Sequence, residues 1–140
     1  MLPSFIADAE EWLVRADLDL QIATLALEAT PVLGAGAAYH AQQASEKALK
    51  AYLTAYGVVF PRTHELEPLL HACELIDARF HQFASVAQTL TPYASEFRYP
   101  GQRLEPLESE ARQAVQDATR IVAFVRQLLG LASPPPAEHS

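Results

Sequence analysis

The sequence has a single cysteine, Cys73, so no disulfide can form within the chain, which fits a reducing compartment. Cys73 sits in a helical apolar pattern and reads as a buried apolar residue rather than a nucleophile. Glycine is also scarce: five in 140 residues leave little room for the turns of a β-rich protein. Basic residues number 10 against 17 acidic ones, and the net charge of −7 excludes the broad basic surface on which phosphate-driven binding to long nucleic acid depends. A small, locally basic pocket is still compatible with that balance. No apolar run approaches the roughly 18 to 20 residues that cross a bilayer, and the N-terminal segment turns acidic at Asp8, Glu10 and Glu11 before such a run begins. A soluble cytoplasmic protein without a membrane anchor is therefore expected.

What is present is apolar residues at helical spacing. Half of the chain is hydrophobic and 19% is charged, which suits one packed domain, expected over residues 1–130, with a flexible Pro-rich tail over 131–140. Ala9, Leu13, Ala16, Leu20, Ala23 and Leu27 alternate by three and four, with Trp12, Leu18, Ile22 and Leu25 widening the stripe. This predicts a long first helix, N-capped by Ser4 and stopped near Thr30-Pro31. A second helix runs from the Gly34 region to Gly57, with Ala41, Ala44, Ala48, Ala51 and Ala55 along one side beside Tyr52. Such an alanine row lets a neighbouring helix approach closely.

Val58 to Arg62 reads as an apolar loop crossing the bundle end, and Thr63 as the cap of a third helix carrying Leu66, Leu69, Leu70, Cys73 and Ile76. Phe83, Val86, Ala87 and Leu90 mark a shorter helical piece. The last helix keeps its period from Leu107 to Leu129, ends at Gly130, and is expected to carry Glu110, Asp117, Arg120 and Gln127 on its far face. The expected fold is all-α: an up-and-down, four-helix-type bundle with an additional short helix.

On the second helix, His40, Gln43, Glu46, Lys47 and Lys50 form a polar arc roughly 120° wide. Spacing alone favours a solvated face held by ion pairs. Read instead as a site, the arc together with His64, Arg98, Tyr99 and Arg103 would suit a nucleotide-like anion: cations for phosphate, Gln43 for a polar edge, tyrosine for stacking. No pair of histidines has metal-helix spacing, and position 68, where a zinc-protease helix starting at His64-Glu65 needs its second histidine, is Pro68, so no metal site is expected. Nucleophile elbows and phosphate-binding glycine loops are missing as well.

Gln42-Gln43-Ala-Ser-Glu46-Lys47-Ala-Leu-Lys50-Ala51, then Thr63-His64-Glu65-Leu66 with Leu69-Leu70, then Arg98-Tyr99-Pro100 before a long final helix, together resemble the HEPN domain family. The resemblance runs from about Ala7 to Leu129. It implies a helical bundle, commonly a homodimer, in a family often described as nucleotide-binding. Single-domain prokaryotic members frequently act with a small nucleotidyltransferase, some pairs being toxin and antitoxin. Carried over to this sequence, Gln43, Glu46, Lys47, Lys50, His64, Arg98 and Tyr99 match the family's polar signature, and no cofactor is required beyond a nucleotide ligand. Ribonuclease members share an Arg followed after four to six residues by His. Here Arg62 and Arg79 have a histidine two positions on, and after Arg98 the next is His139. The resemblance therefore favours binding over catalysis, with no catalytic residue assigned. Two alternatives accompany it: an RNA endonuclease toxin with a rearranged site, and a non-catalytic dimeric interaction module.

Overall fold

The structure, a computed structural model, describes residues 1–95 and 105–132. Its five α-helices are α1 (Pro3–Glu28), α2 (Gly34–Ala55), α3 (Leu66–Ile76), α4 (Ala84–Leu90) and α5 (Glu108–Leu129), with tight 310 turns at Ala78–Phe83 and Thr91–Ala94 flanking α4. No strand occurs among the described residues. The all-α bundle expected from periodicity is the architecture observed.

α2 lies at the centre, packed on α1, α3 and α5. Ala37, Ala38, Ala41, Ala44, Ala48, Ala51 and Ala55 are all buried. Side chains this small keep the helix axes close and give α2 contact on several sides at once. Leu49 and Leu53, on a different side from the alanines, are buried too, so α2 has little solvent face left. An edge-to-face aromatic run, Tyr52 to Phe80 at 4.6 Å and Phe80 to Phe124 at 5.1 Å between centroids, joins α2 to α5 through the 310 turn.

The connection from α2 to α3 departs from the expected end-crossing loop. It doubles back along α2, so that His64 lies beside Gln42 and Glu46 while Cys73, nine residues later, touches the Leu49 carbonyl. α3 therefore runs in the same sense as α2, and α4 supplies the return. Gly57 makes the reversal possible: its φ is +68°, and a Cβ there would lie 2.7 Å from Phe5.

Several helix ends differ from expectation. α1 begins at Pro3 with Leu2 at its N-cap, so Ser4 is inside the helix and makes no capping bond. Proline at the first helical position has already fixed φ. Thr63 Oγ1 accepts from the Glu65 N–H, 3.0 Å, and shapes the turn before α3, while the Leu66 N–H donates to Thr91 Oγ1. Glu110 is not simply a far-face residue: its carboxylate accepts from the Leu107 N–H at 2.8 Å and closes the start of α5. Asp117, expected on the same far face, is buried, where it accepts from Gln113 Nε2 at 3.0 Å. Leu18, Ile22 and Leu25, expected to widen the buried stripe of α1, are exposed.

Cys73 is buried, as its pattern predicts, and burial pushes its thiol well above the ordinary range, with Glu74 adding to the effect. In the native protein Cys73 should resist alkylation at pH 8 and react fully once guanidinium unfolds the chain; rapid native labelling would contradict this burial. Because the folded state holds the thiol proton more tightly than the unfolded chain, its contribution is complete below about pH 8.5 and is lost as pH rises beyond that. The glycines give a second test by urea denaturation. Gly57→Ala should destabilise by roughly 1–3 kcal/mol through φ and the Phe5 contact, whereas Gly36→Ala, inside α2 with open space around it, should stabilise by about 0.5–1 kcal/mol.

Candidate functional site

Two carboxylates form the framework of the site. Asp19 of α1 and Glu46 of α2 are both buried, and each is shared by a lysine and a histidine. Asp19 pairs with the Lys47 ammonium and accepts from His40 Nδ1 at 2.8 Å. Glu46 pairs with Lys50 Nζ at 3.0 Å, one turn further along the same helix, and accepts from His64 Nδ1 at 3.1 Å. A lone buried carboxylate is costly, and a lysine ammonium and a histidine ring nitrogen apiece offset that cost. The clusters follow one another along the α1–α2 seam.

The rest of the seam is also committed. Gln42, fully buried, donates to the His64 carbonyl at 2.8 Å and thereby holds the returning loop against α2. Gln43 Nε2 donates to Gln42 Oε1 at 2.7 Å. Lys50 lies 5.6 Å from the centroid of Trp12 and 5.8 Å from that of Phe60, which meet edge to face at 6.4 Å. Beyond Trp12 a shallow cleft of about 250 Å³ opens, lined by Asp8, Glu11, Trp12, Arg15 and Thr54.

Of the residues assigned from sequence, the structure brings Gln43, Glu46, Lys47, Lys50 and His64 to this one seam, along with His40. Arg98, Tyr99 and Arg103 lie outside the described residues. The arc is not the solvated face that spacing alone favours, because Glu46 is buried and Lys50 nearly so. Exposure rises towards the loop: the His64 side chain is 74% exposed, those of His40 and Lys47 about a quarter.

Asp19, the carboxylate that holds Lys47, escaped the sequence reading, as did the packing of Trp12 and Phe60 on Lys50. A signal for Asp19 exists. It stands three residues after Ala16 and four before Ala23, on the buried stripe itself, where a charge needs a partner from a neighbouring element. Asp117 occupies the same kind of position between Ala114 and Ile121. Trp12 and Phe60 carry no such signal, since only the returning loop places one on the other. No cluster of three or more metal-ligating side chains occurs among the described residues.

The sequence profile described as the HEPN domain matches residues 9–128, from the start of the buried stripe of α1 to the last turn of α5. The chain belongs to the HEPN domain family. The HEPN match covers both carboxylate clusters and all five helices apart from their outermost residues. No curated protein and no solved structure matches the chain. Among the described residues no helix is long and apolar enough to cross a membrane.

Because Glu46 is buried and shared by Lys50 and His64, its removal should cost far more than that of a solvated acid. Glu46→Ala is expected to lower stability by about 2–4 kcal/mol, allowing for the water that reaches Lys50 and His64. Glu10→Ala, on the exposed side of α1, should stay within about 0.5 kcal/mol. Urea denaturation of both variants tests this, and equal effects would show Glu46 to be an ordinary surface residue.

Proposed function

We propose that this HEPN protein acts by binding rather than by cutting RNA. The outer edge of the α1–α2 seam receives a nucleotide, or the nucleotide-bearing site of a small nucleotidyltransferase partner. On this reading residues 1–130 work as one domain, as a homodimer in the cytoplasm, in the setting of a toxin–antitoxin pair. The observation that carries it is the way Asp19 and Glu46 cancel the lysine charges without using up their donors. A lysine ammonium has three protons, and the Asp19 pair engages one of those on Lys47. The His64 ring, held through Nδ1, leaves Nε2 on its exposed side. Such an edge suits a ligand that takes several hydrogen bonds and little net charge, a nucleoside monophosphate rather than a long polyanion. The overall acidity of the chain and the absence of an Arg-x4-6-His pair from the sequence support the same reading.

One specific observation favours a second reading. A buried carboxylate orienting an exposed imidazole, as Glu46 orients His64, is also the arrangement of a general base, and it would serve a metal-independent RNA endonuclease with a rearranged site. Calorimetric titration with mono-, di- and triphosphate nucleotides, alone and with a co-expressed nucleotidyltransferase, tests the first reading. Saturable binding that weakens at least about tenfold in Gln43→Ala or His64→Ala is expected, since losing one or two hydrogen bonds removes about 1.4 kcal/mol or more. Gln43 is half-buried and His64 largely exposed, so their removal disturbs the core less than Lys47→Ala, which leaves the buried Asp19 carboxylate with His40 alone. Circular dichroism checks that each variant keeps its helix content. No binding in either format, with RNA cleavage in chelator that disappears in His64→Ala and Arg98→Ala, would replace the first reading by the second.

A further inference from the structure

α1 is apolar on two opposite sides. Ala9, Leu13, Ala16 and Ala23 face the core, while Val14, Leu18, Ile22 and Leu25, at steps of four, four and three, stand 57%, 53%, 45% and 59% exposed. The helical period puts this second stripe directly opposite the first, and exposed Ala7 continues it. Leu33, also exposed, adds to the apolar surface at the C-terminal end, where its N–H donates to the Ala26 carbonyl. From Val14 to Leu25 the stripe is about 16 Å long. A surface helix gains nothing in folding from large side chains pointing at water, and contiguous patches of this kind mark interaction faces.

The charges around the stripe define what it fits. Glu11 stands in line with it, and Glu10 and Glu28 border it; all three are exposed and none joins an ion pair among the described residues. The single basic residue of α1, Arg15, leans over Trp12 at 5.7 Å, on the side of the acidic cleft. A second copy of this chain fits poorly. In the antiparallel register that sets Leu18 against Ile22 of the second copy and Val14 against Leu25, Glu11 meets Glu28; in the parallel register Glu11 meets Glu11. Either two-fold arrangement brings carboxylates together.

We infer that the outer face of α1 docks a helix of a different protein, one whose apolar stripe is bordered by lysine or arginine. The apolar side chains supply the contact, and Glu10, Glu11 and Glu28 select the basic partner and orient it. This face is separate from the nucleotide edge, so the inference stands whether or not the seam binds a nucleotide. A homodimer, where it forms, uses another surface.

The test uses the full chain and two fluorescent helical peptides of about 18 residues, long enough to cover the stripe. Both carry Leu at alternating three- and four-residue spacing, bordered by Lys in one and by Glu in the other. The Lys peptide should bind saturably in anisotropy titrations and weaken at least about tenfold in the double variant Leu18→Ser with Ile22→Ser, as hot-spot truncations do. Both positions are exposed, so circular dichroism should show an unchanged helix content. Glu11→Lys with Glu28→Lys should reverse the preference towards the Glu peptide. Equal binding of both peptides, or full affinity in the Leu18/Ile22 variant, would overturn the inference. So would a two-chain mass in sedimentation that falls to one chain in that variant, because a second copy would then occupy the face.

Discussion

Two buried carboxylates in the seam between α1 and α2 set the terms for much of this bundle. Asp19 and Glu46 are buried in a helix pair packed through alanine, where a carboxylate without partners is costly. Lys47 and Lys50 come from α2 itself, but a second partner for Glu46 has to arrive from elsewhere. It comes from the chain that doubles back after Gly57 and lays His64 against α2, with Gln42 fastening the loop backbone. The left-handed Gly57, the direction of α3 and the edge-to-face contact of Phe60 with Trp12 all belong to one solution of that electrostatic demand.

The same demand changes what the polar arc can do. A bare basic patch attracts polyanions at long range; here each lysine already has a carboxylate, so long-range attraction is weak and short-range donors remain. On the proposed reading, discrimination would rest on hydrogen-bond geometry at the rim, where His64 is largely exposed and Lys47 partly so, rather than on accumulated charge. A further ion pair, Asp17 with Arg126, ties α1 to α5, and Arg126 Nη1 also donates to the Ala132 carbonyl at 2.9 Å. Burial holds the Asp17 carboxyl above its ordinary value even beside this guanidinium, so the pair positions α5 more than it stabilises the fold.

The helices were legible because their period is local: α1, α2 and α5 follow from apolar spacing, and Gly57 and Gly130 end their helices in left-handed conformations as glycine permits. The polar residues of α2 were legible as a group for the same reason. Their environment was not, since whether Glu46 is wet or buried depends on a loop whose path no periodicity encodes. Asp19 was hidden among ordinary surface acids although its place on the buried stripe set it apart. Leu18, Ile22 and Leu25 misled in the opposite direction: a hydrophobic residue in a helix predicts contact with something, and a single chain does not say with what.

The central position of α2 has a consequence for how the molecule comes into being on the ribosome. The α1–α2 hairpin is complete in sequence by residue 55, yet the side of α2 that packs on α5 has no cover until residues 108–129 have been made. An alanine-lined helix gains little from burying one face alone. The early hairpin is thus a weak structure waiting for a distant segment, and the last helix to leave the exit tunnel closes the domain.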